Sequence, residues 1–364
     1  MIDCIAIPTT LHELGDLSIL FGCWNCYHHK KYITDRLLIT IPGNSNEALK
    51  RQIDNLVSIF SINKLFGKVD IIFLGITEDE DIYIRHGANW EKPIPRMGLK
   101  SGPNLQFFRT IEAARDSRFT FLNETDVLPL AANWLSELSG SLRPSQDWVL
   151  GSHYRGDTTL GPDIVSHING AAVYSTGSHL FQQFCDVLWE PGVEEMCIKQ
   201  PDTAYDIWVS RMQHRFSVDP RAWEMAGRDF QKTFTDAISR FTVTDKIANL
   251  TLKSDYRSIS TLLDQGYLVA HGKHFKFQAL KHALSYAKKS QGIAMPRYQQ
   301  YCILRLCSNR TEAISALSEV MPEKIAKLNE KIRAQKASNN LANQRQQKPL
   351  NKISTDSFKP SDPV

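Results

Sequence analysis

The first half of the chain alternates short apolar runs with a segment of helical periodicity, and this alternation limits the fold more than any other feature. Three runs have the length and composition of buried strands: residues 4–10 (CIAIPTT), 36–42 (RLLITIP) and 69–76 (VDIIFLGI). Residues 46–62 place apolar side chains at three- and four-residue spacing, as an amphipathic helix does. Strands joined by helices predict an α/β fold with a mixed, mostly parallel central sheet and helices on both faces.

A fourth apolar run is followed by two carboxylates. Residues 119–130 read FTFLNETDVLPL, in which Glu124 and Asp126 come where an interior strand should end. In an extended segment these two side chains point to the same side and Thr125 points away. Two buried anions are costly unless a cation lies between them, which can be a Lys or Arg side chain or a divalent metal. Oxygen ligands suit Mg2+ or Mn2+.

The segments around this strand continue the α/β pattern. Residues 102–119 (GPNLQFFRTIEAARDSRF) and 131–138 predict helices before and after the acidic strand. Residues 148–156 (WVLGSHYRG) and 167–175 (HINGAAVYS) predict two further strands. Helical patterns then dominate up to residues 266–274 (GYLVAHGKH), which predict a strand near the end of the core.

This order of motifs resembles nucleotide-sugar-dependent glycosyltransferases of the GT-A fold, including a little-characterised group found in large viruses, algae and bacteria. The likeness rests on the GPN turn with its helix, the strand that ends in an acidic triplet and Pro-Leu, the HINGAAVY strand and a late His-Gly, and it covers residues 2–275. The usual triplet of these enzymes is Asp-x-Asp, whereas this chain has Glu-Thr-Asp. The resemblance therefore assigns Asp126 as a metal ligand more firmly than Glu124, which either ligates the metal or contacts the ribose of the donor.

The resemblance implies a metal-dependent enzyme that moves a sugar from a nucleoside-diphosphate sugar to a glycan or other hydroxyl acceptor. A bound Mn2+ or Mg2+ neutralises the departing diphosphate in such enzymes. The expected ligands are Asp126, Glu124 and His271, with His274 as the alternative histidine. Residues expected to bind the donor lie after the first strand, around the GPN turn and in the acidic triplet: Pro8, Thr9, Thr10, Lys100, Asn104, Glu124, Thr125 and Asp126.

An inverting reaction also needs a base that takes the proton of the acceptor hydroxyl. In the resembling enzymes this acid often lies downstream of the metal motif at a helix start, which indicates Asp206 or Asp202. Asp202 can instead be the N-cap of that helix, and Asp163 is a further candidate. A retaining reaction requires no such base.

The acceptor is expected at the edge of the HINGAAVY strand. His167, Asn169 and Gly170 lie there, and an Asn amide both donates and accepts hydrogen bonds, which suits sugar hydroxyls. Local capping at the strand end is the alternative role. Four tryptophans can stack on sugar rings, although tryptophans in an apolar setting are more often core residues. They are Trp134, Trp189, Trp208 and Trp223.

Whole-chain properties exclude several classes. A net charge of +4 is too weak to indicate nucleic-acid binding, and no apolar run is long enough for a transmembrane segment. No phosphate-loop lysine motif or GxGxxG motif follows a strand, which argues against a P-loop enzyme and against a dinucleotide-binding dehydrogenase. Seven irregularly spaced cysteines favour reduced thiols and a cytoplasmic location. Cys23 and Cys26, followed by His28 and His29, are expected to be reduced thiols, with a zinc site as the alternative.

We expect three parts along the chain. Residues 1–275 form the GT-A domain, residues 276–335 a helical extension, and residues 336–364 a disordered tail rich in Asn, Gln, Lys, Ser and Pro.

Two other functions remain open. A sugar-1-phosphate nucleotidyltransferase has a similar sheet, but its glycine- and arginine-rich first loop is replaced here by PTTLHELGD. A catalytically silent scaffold that only binds a partner is also compatible with Glu124 in place of the usual Asp.

Overall fold

A central sheet of seven strands runs in the order β3-β2-β1-β4-β7-β6-β8. The computed structural model describes residues 1–28, 31–84, 93–156, 161–250 and 257–318. In chain order the strands are β1 (Cys4–Pro8), β2 (Thr34–Ile41), β3 (Phe66–Phe73), β4 (Thr120–Leu122), β5 (Val127–Pro129), β6 (Val149–Gly151), β7 (Val173–Tyr174), β8 (Phe241–Val243), β9 (Ile247–Asn249) and β10 (Val269–His271). Strands β1 to β4 pair in parallel, as do β6 and β8, and only β7 runs antiparallel to its neighbours.

Helices cover both faces of this sheet. They are α1 (Leu14–His28), α2 (Glu47–Ile59), α3 (Ser101–Ala113), α4 (Trp134–Gly140), α5 (Pro162–Val165), α6 (His179–Phe184), α7 (Glu190–Lys199), α8 (Tyr205–Val218), α9 (Pro220–Met225), α10 (Arg228–Ile238), α11 (Ile259–Asp264), α12 (Lys276–Gln291), α13 (Arg297–Leu306) and α14 (Arg310–Ser318). Leu122 of β4 lies in one core with α3, α7 and α8, while the ring of Phe121 packs on Trp134 of α4. The predicted α/β fold class, a mixed and mostly parallel central sheet with helices on both faces, is confirmed.

A second, three-stranded sheet has the order β5-β10-β9. Strand β10 is antiparallel to β5, with His271 opposite Val127, and parallel to β9, with His271 opposite Asn249. This sheet therefore brings the end of the 266–274 segment next to the acidic triplet. The sequence did not predict β8 or β9, because three-residue strands are too short to show a period.

Helix α1 was also missed, because it is apolar on all sides. Twelve of its 15 residues are buried, so no polar face marks a helical period. It packs tightly against the C-terminal helices: a side chain at Gly22 would meet Leu280 and Ile303 at 3.4 and 3.3 Å. The predicted helix at 46–62 is confirmed as α2, which Asn46 caps by accepting a hydrogen bond from the backbone N–H of Leu49.

Several predicted strands are shorter than expected. The segments 148–156 and 167–175 contain only β6 and β7, joined beyond them by one bridge between His153 and Ile168. Beyond these strands the backbone pairing is irregular: Asn169 N–H donates to the carbonyl of Ser152 at 3.2 Å, whereas Ala171 N–H donates to the side-chain Oδ1 of Asn169 at 3.0 Å.

Residues Met1–Ala316 form one compact unit, and a second unit runs from Leu317 to Val364. Beyond residue 318 the chain lies outside the described residues, so the predicted tail at 336–364 lies there too. The predicted boundary at residue 275 stays a prediction. Within the described ranges, no helix has the length and apolarity that crossing a bilayer requires.

Candidate metal centre

The two acids of the triplet lie in a turn between β4 and β5. The backbone N–H of Val127 donates to the carbonyl of Glu124 at 3.0 Å, so the predicted extended geometry is wrong. Asn123, which is buried, holds the turn by donating its amide to the carbonyls of Glu124 and Val127 at 2.9 and 3.0 Å. The turn pairs the backbone N–H of Val127 with the carbonyl of Glu124. It also brings the side chains of Glu124 and Asp126 together.

His271 completes the cluster from β10. Its Nε2 atom lies 3.5 Å from Oε2 of Glu124 and 3.7 Å from Oδ1 of Asp126. Its Nδ1 atom lies 3.2 Å from Oδ1 of Asn249 in β9, which accepts a hydrogen bond only from Nδ1–H. This contact directs the Nε2 lone pair at the carboxylates once the ring is neutral, as hydrogen bonds to the other ring nitrogen of metal-binding histidines do.

A glycine follows His271 for a steric reason. The backbone N–H of Gly272 donates to the carbonyl of Asp126 at 3.2 Å, and the φ angle of Gly272 is 145°. A Cβ atom at this position would lie 2.5 Å from the carbonyl oxygen of Leu250. The late His-Gly of the sequence is therefore part of the turn that seats the imidazole next to Asp126.

The charges of the three side chains depend on one another. Burial alone would lower the pKa of His271, but Asp126 and Glu124 raise it to about 9. Burial, together with the charge of Glu124, raises the pKa of Asp126. Burial also opposes ionisation of Glu124, yet its hydrogen bond to His271 and the charge of that ring lower its pKa. Without a metal, the imidazolium is therefore the cation that holds the two carboxylates together.

The same three side chains suit a divalent ion. Glu124, Asp126 and His271 can offer ligand atoms that all lie within 4.8 Å of one another, and among the described residues no other group of this kind was found. Adjacent ligands of an octahedral ion with bonds of about 2.1 Å lie about 3 Å apart, so a small contraction would close the site. The imidazole of His271 can become a ligand when it loses its proton. A bound ion would then draw the three ligand atoms together.

Glu13 is a site residue that the sequence analysis missed. Its Oε2 atom accepts hydrogen bonds from the backbone N–H and the hydroxyl of Thr10, both at 3.0 Å, and its Oε1 atom accepts from the hydroxyl of Thr125 at 3.4 Å. Burial raises its pKa, and the charges of Glu124 and Asp126 add to the shift. Glu13 therefore links the loop after β1 to the acidic turn. The Thr-x-x-Glu spacing of a capping box was the available signal.

The loop after β1 reaches the same edge of the sheet as the acids. Pro8 ends β1, which pairs with β4 so that Ala6 lies opposite Leu122. Thr9 is buried, and its hydroxyl has no hydrogen-bond partner among the described residues. With Thr10 tied to Glu13, these predicted donor-binding residues lie near the metal centre.

Two other predicted donor-binding residues have different surroundings. The amide of Asn104 donates to the carbonyls of Met97 and Thr203 at 3.1 and 3.0 Å, and its oxygen accepts from the backbone N–H of Tyr205 at 2.8 Å. Lys100 ends a short 3-10 helix near Cys197. Among the described contacts, neither residue touches the three candidate ligands.

Of the two predicted bases, only Asp206 faces the metal centre. It lies in the first turn of α8, its Oδ2 atom is 3.6 Å from Nε2 of His167, and its charge contributes to the raised pKa of His271. Asp202 instead lies 3.6 Å from Nη2 of Arg211. Asp202 is not the N-cap of α8, because Ala204 occupies that position.

Of the predicted acceptor residues, Gly170 lies beside Glu124. Gly170 permits a close approach: a Cβ atom there would lie 1.8 Å from the hydroxyl of Tyr205 and 3.3 Å from Oε1 of Glu124. Asn169 accepts a local hydrogen bond from Ala171 N–H at 3.0 Å, as expected for capping. A cavity of about 300 Å3 adjoins His167 and Asp206 and is otherwise largely apolar.

The remaining sequence candidates lie elsewhere. His274 is partly buried and is not in the candidate metal cluster. The side chain of Asp163 lies outside the described residues, as does His29. Cys23 and Cys26 are buried free thiols whose burial raises their pKa values, and no zinc cluster includes them among the described residues. Three of the four tryptophans are core residues: Trp134, Trp189 and Trp208.

No family model matches the chain, and no curated protein matches its sequence. Among solved structures, the galactosyltransferase LgtC in complex with donor and acceptor sugar analogues is 9% identical, with a TM-score of 0.41 over 82% of this chain and 99% of that chain. Mycobacterium tuberculosis glucosyl-3-phosphoglycerate synthase with Mn2+, UDP-glucose and phosphoglyceric acid is 10% identical, with a TM-score of 0.33 over 79% of each chain. This chain also spans about half (53%) of a mycobacterial protein, at 12% identity and a TM-score of 0.28, with 48% of this chain covered. At these values the matches describe a general likeness of architecture and assign no function.

Proposed function

We propose that the chain is a metal-dependent glycosyltransferase that moves a sugar from a nucleoside-diphosphate sugar to a hydroxyl acceptor. The observation that carries this proposal is the convergence of Glu124, Asp126 and His271 at the carboxyl edge of a mostly parallel sheet. In open α/β sheets ligands bind outside the carboxyl ends of the strands. Oxygen-rich sites at such edges hold ions that also contact substrate phosphates.

The metal would be held by one carboxylate oxygen each from Glu124 and Asp126 and by Nε2 of His271. When bound, it supplies Lewis-acid stabilisation of the charge that develops on the leaving diphosphate. An imidazole among the ligands favours Mn2+ over Mg2+, because Mg2+ takes oxygen ligands almost alone. Lys273 adds a second cation: it is exposed, and its charge favours ionisation of both carboxylates, which indicates that it lies beside them.

The donor is proposed to lie along the loop after β1. Pro8, Thr9 and Thr10 line this edge, and Glu13 fixes the loop to the acidic turn through Thr10 and Thr125. Glu124 reaches toward Gly170 and Tyr205, so its carboxylate is placed to accept a hydrogen bond from a sugar or ribose hydroxyl as well as to ligate the ion. The absence of a side chain at Gly170 leaves room for this approach.

The acceptor hydroxyl is proposed to meet Asp206. In an inverting reaction Asp206 accepts the proton of the hydroxyl as the oxygen attacks the anomeric carbon. His167 lies beside this carboxylate: its Nδ1–H donates to the carbonyl of Ile164, and its Nε2 atom lies 3.6 Å from Oδ2 of Asp206. The adjoining cavity would take the ring that carries the hydroxyl. A cytoplasmic location belongs to the same proposal and is supported by seven free cysteines.

The test is a screen of nucleoside-diphosphate sugars for hydrolysis and transfer, with Mn2+ or with a chelator. We expect metal-dependent release of the nucleoside diphosphate by the wild-type chain, loss of this activity in Asp126→Asn, and no change in Asp54→Asn, a matched exposed acid of α2. Release of pyrophosphate from a nucleoside triphosphate would instead identify a nucleotidyltransferase. Metal-dependent nucleotide binding with no turnover over the whole panel would identify a silent scaffold.

A further inference from the structure

A second cavity lies between helices α7, α8 and α10, away from the metal centre. It has a volume of about 660 Å3, and its floor is apolar, formed by Leu188, Met196, Trp208, Met212 and Phe230. It shares no lining residue with the cavity beside Asp206. The two cavities therefore lie on different faces of α8. The second cavity, a groove, is not part of the proposed active site.

Cationic side chains border the apolar floor from both walls. Lys199 comes from α7, and Arg211 and Arg215 come from α8, against one acid, Glu195. Arg211 is partly committed, because it donates to the hydroxyl of Thr203 at 2.8 Å and lies near Asp202. Lys199 and Arg215 form no ion pair within the described residues. The groove thus offers two unpaired cations above an apolar surface, which is complementary to an anion with an apolar body.

Exposed aliphatic side chains extend this surface beyond the groove. Val187, which lines the groove, is 68% exposed, and Ile198, next to Lys199, is 81% exposed. Val218 follows Arg215 by about one turn and is 64% exposed. Val187 belongs to the groove itself, and Ile198 lines an adjoining cavity that shares Pro191 and Glu195 with it, so exposed apolar side chains border the groove, as is typical of a surface that meets a partner.

We propose that this groove and the aliphatic residues beside it dock on the surface of an anionic phospholipid membrane. A lipid phosphate would lie between Lys199 and Arg215, and the upper part of an acyl chain would cover the apolar floor. The groove has the volume of a small-ligand site, but a small soluble anion would leave Val187, Ile198 and Val218 in water. A membrane interface covers apolar and cationic side chains at the same time.

The C-terminal segment of the chain is a poor occupant for this groove. Residues 319–364 contain more basic than acidic residues, so their charge matches that of the groove instead of complementing it. They also add a basic segment that can adsorb to anionic lipids by itself, and the experiment must separate the two contributions.

The experiment compares variants of the full chain in sedimentation with vesicles of phosphatidylcholine alone or mixed equally with phosphatidylglycerol. We expect wild-type binding to the anionic vesicles, and binding about 25-fold weaker in the double variant Lys199→Ala/Arg215→Ala, since each basic residue near an anionic surface contributes about a five-fold factor. The matched control Lys50→Ala/Arg51→Ala removes two basic residues of α2 and should bind as the wild type does. A second double variant, Val187→Ser/Ile198→Ser, should also weaken binding at unchanged charge.

Each outcome decides the proposal. All substituted side chains except that of Lys50 are exposed, so the fold should survive, which a thermal unfolding scan checks. Equal losses in both charge variants would show non-specific adsorption and overturn the proposal. Unchanged binding in the two groove variants would also overturn the proposal. No preference for phosphatidylglycerol would overturn it as well, and this result would leave an acidic protein surface as the better occupant.

Discussion

Metal binding should release a proton from His271, and this prediction follows from the geometry of the apo cluster. Asp126 and Glu124 raise the pKa of the buried imidazole from its ordinary 6.5 to about 9. At pH 7 the ring is therefore mostly protonated. A metal needs the Nε2 lone pair, so binding must displace this proton. Well below this pKa the affinity for Mn2+ should rise about tenfold per pH unit, and it should rise about 25-fold between pH 7 and 8.5.

The same shift has a consequence for the stability of the apo protein. A histidine whose pKa is raised on folding stabilises the fold below its unfolded pKa and loses this contribution as the pH rises through the folded value. A shift from 6.5 to about 9 corresponds to at most about 3 kcal/mol, lost between these two pH values. With saturating Mn2+ this particular loss should disappear, because the metal replaces the proton between Glu124 and Asp126.

Calorimetric titration with Mn2+ measures this directly. At one pH, in buffers of different ionisation enthalpy, the observed heats should report about one proton released per ion. His271→Gln should release none and bind weakly, whereas His274→Gln, the neighbouring histidine outside the cluster, should behave as the wild type does. Strong Mn2+ binding that is independent of pH, with no proton release, would refute the assignment of His271.

Three further substitutions test the other roles. Asp206→Asn should leave Mn2+ and donor binding intact and lower turnover by about 10²–10⁴, the usual contribution of a general base; normal turnover would place the base elsewhere or indicate a retaining reaction. Glu13→Ala removes the acceptor of three hydrogen bonds, so KM for the donor should rise and unfolding free energy should fall by about 1–3 kcal/mol, with Glu13→Gln rescuing part of both; an unchanged KM would confine Glu13 to stability. Gly170→Ala drives a Cβ atom into the Tyr205 hydroxyl and to 2.9 Å from the ring carbon that carries it, so activity should fall at least about tenfold, and adding Tyr205→Phe, which removes only the hydroxyl, should restore part of it; unchanged activity in Gly170→Ala would contradict this reading.

The sequence could predict the buried parallel strands and the ends at which the site is built. Interior strands read as continuous apolar runs, so β1, β2, β3 and β4 are visible without any other information. Polar residues directly after such runs lie at the carboxyl edge, and this places Glu124 and Asp126 correctly. The late His271 came from the family resemblance, and its position opposite Val127 explains why a residue so distant in sequence reaches the acids.

Other features depend on tertiary contacts that one sequence does not display. Helix α1 is buried on all sides, so it lacks the polar face that marks a helix in sequence. The amide of Asn104 joins α3 to the start of α8 through Thr203 and Tyr205, a contact that its position in the sequence does not reveal; its role at the donor stays a prediction. Asp206, favoured as the base because it lies one turn further into the helix than Asp202, is also the acid that the path of the chain into α8 brings toward His271.

The most direct test of the central claim is anomalous diffraction from crystals of the protein soaked with Mn2+ and a nucleoside diphosphate. We predict one strong manganese peak bonded to Asp126 and to Nε2 of His271, with Glu124 as a further ligand and the two phosphates completing the shell. A peak bound elsewhere, or nucleotide bound with no metal at these three residues, would contradict the assignment of this cluster as the metal centre.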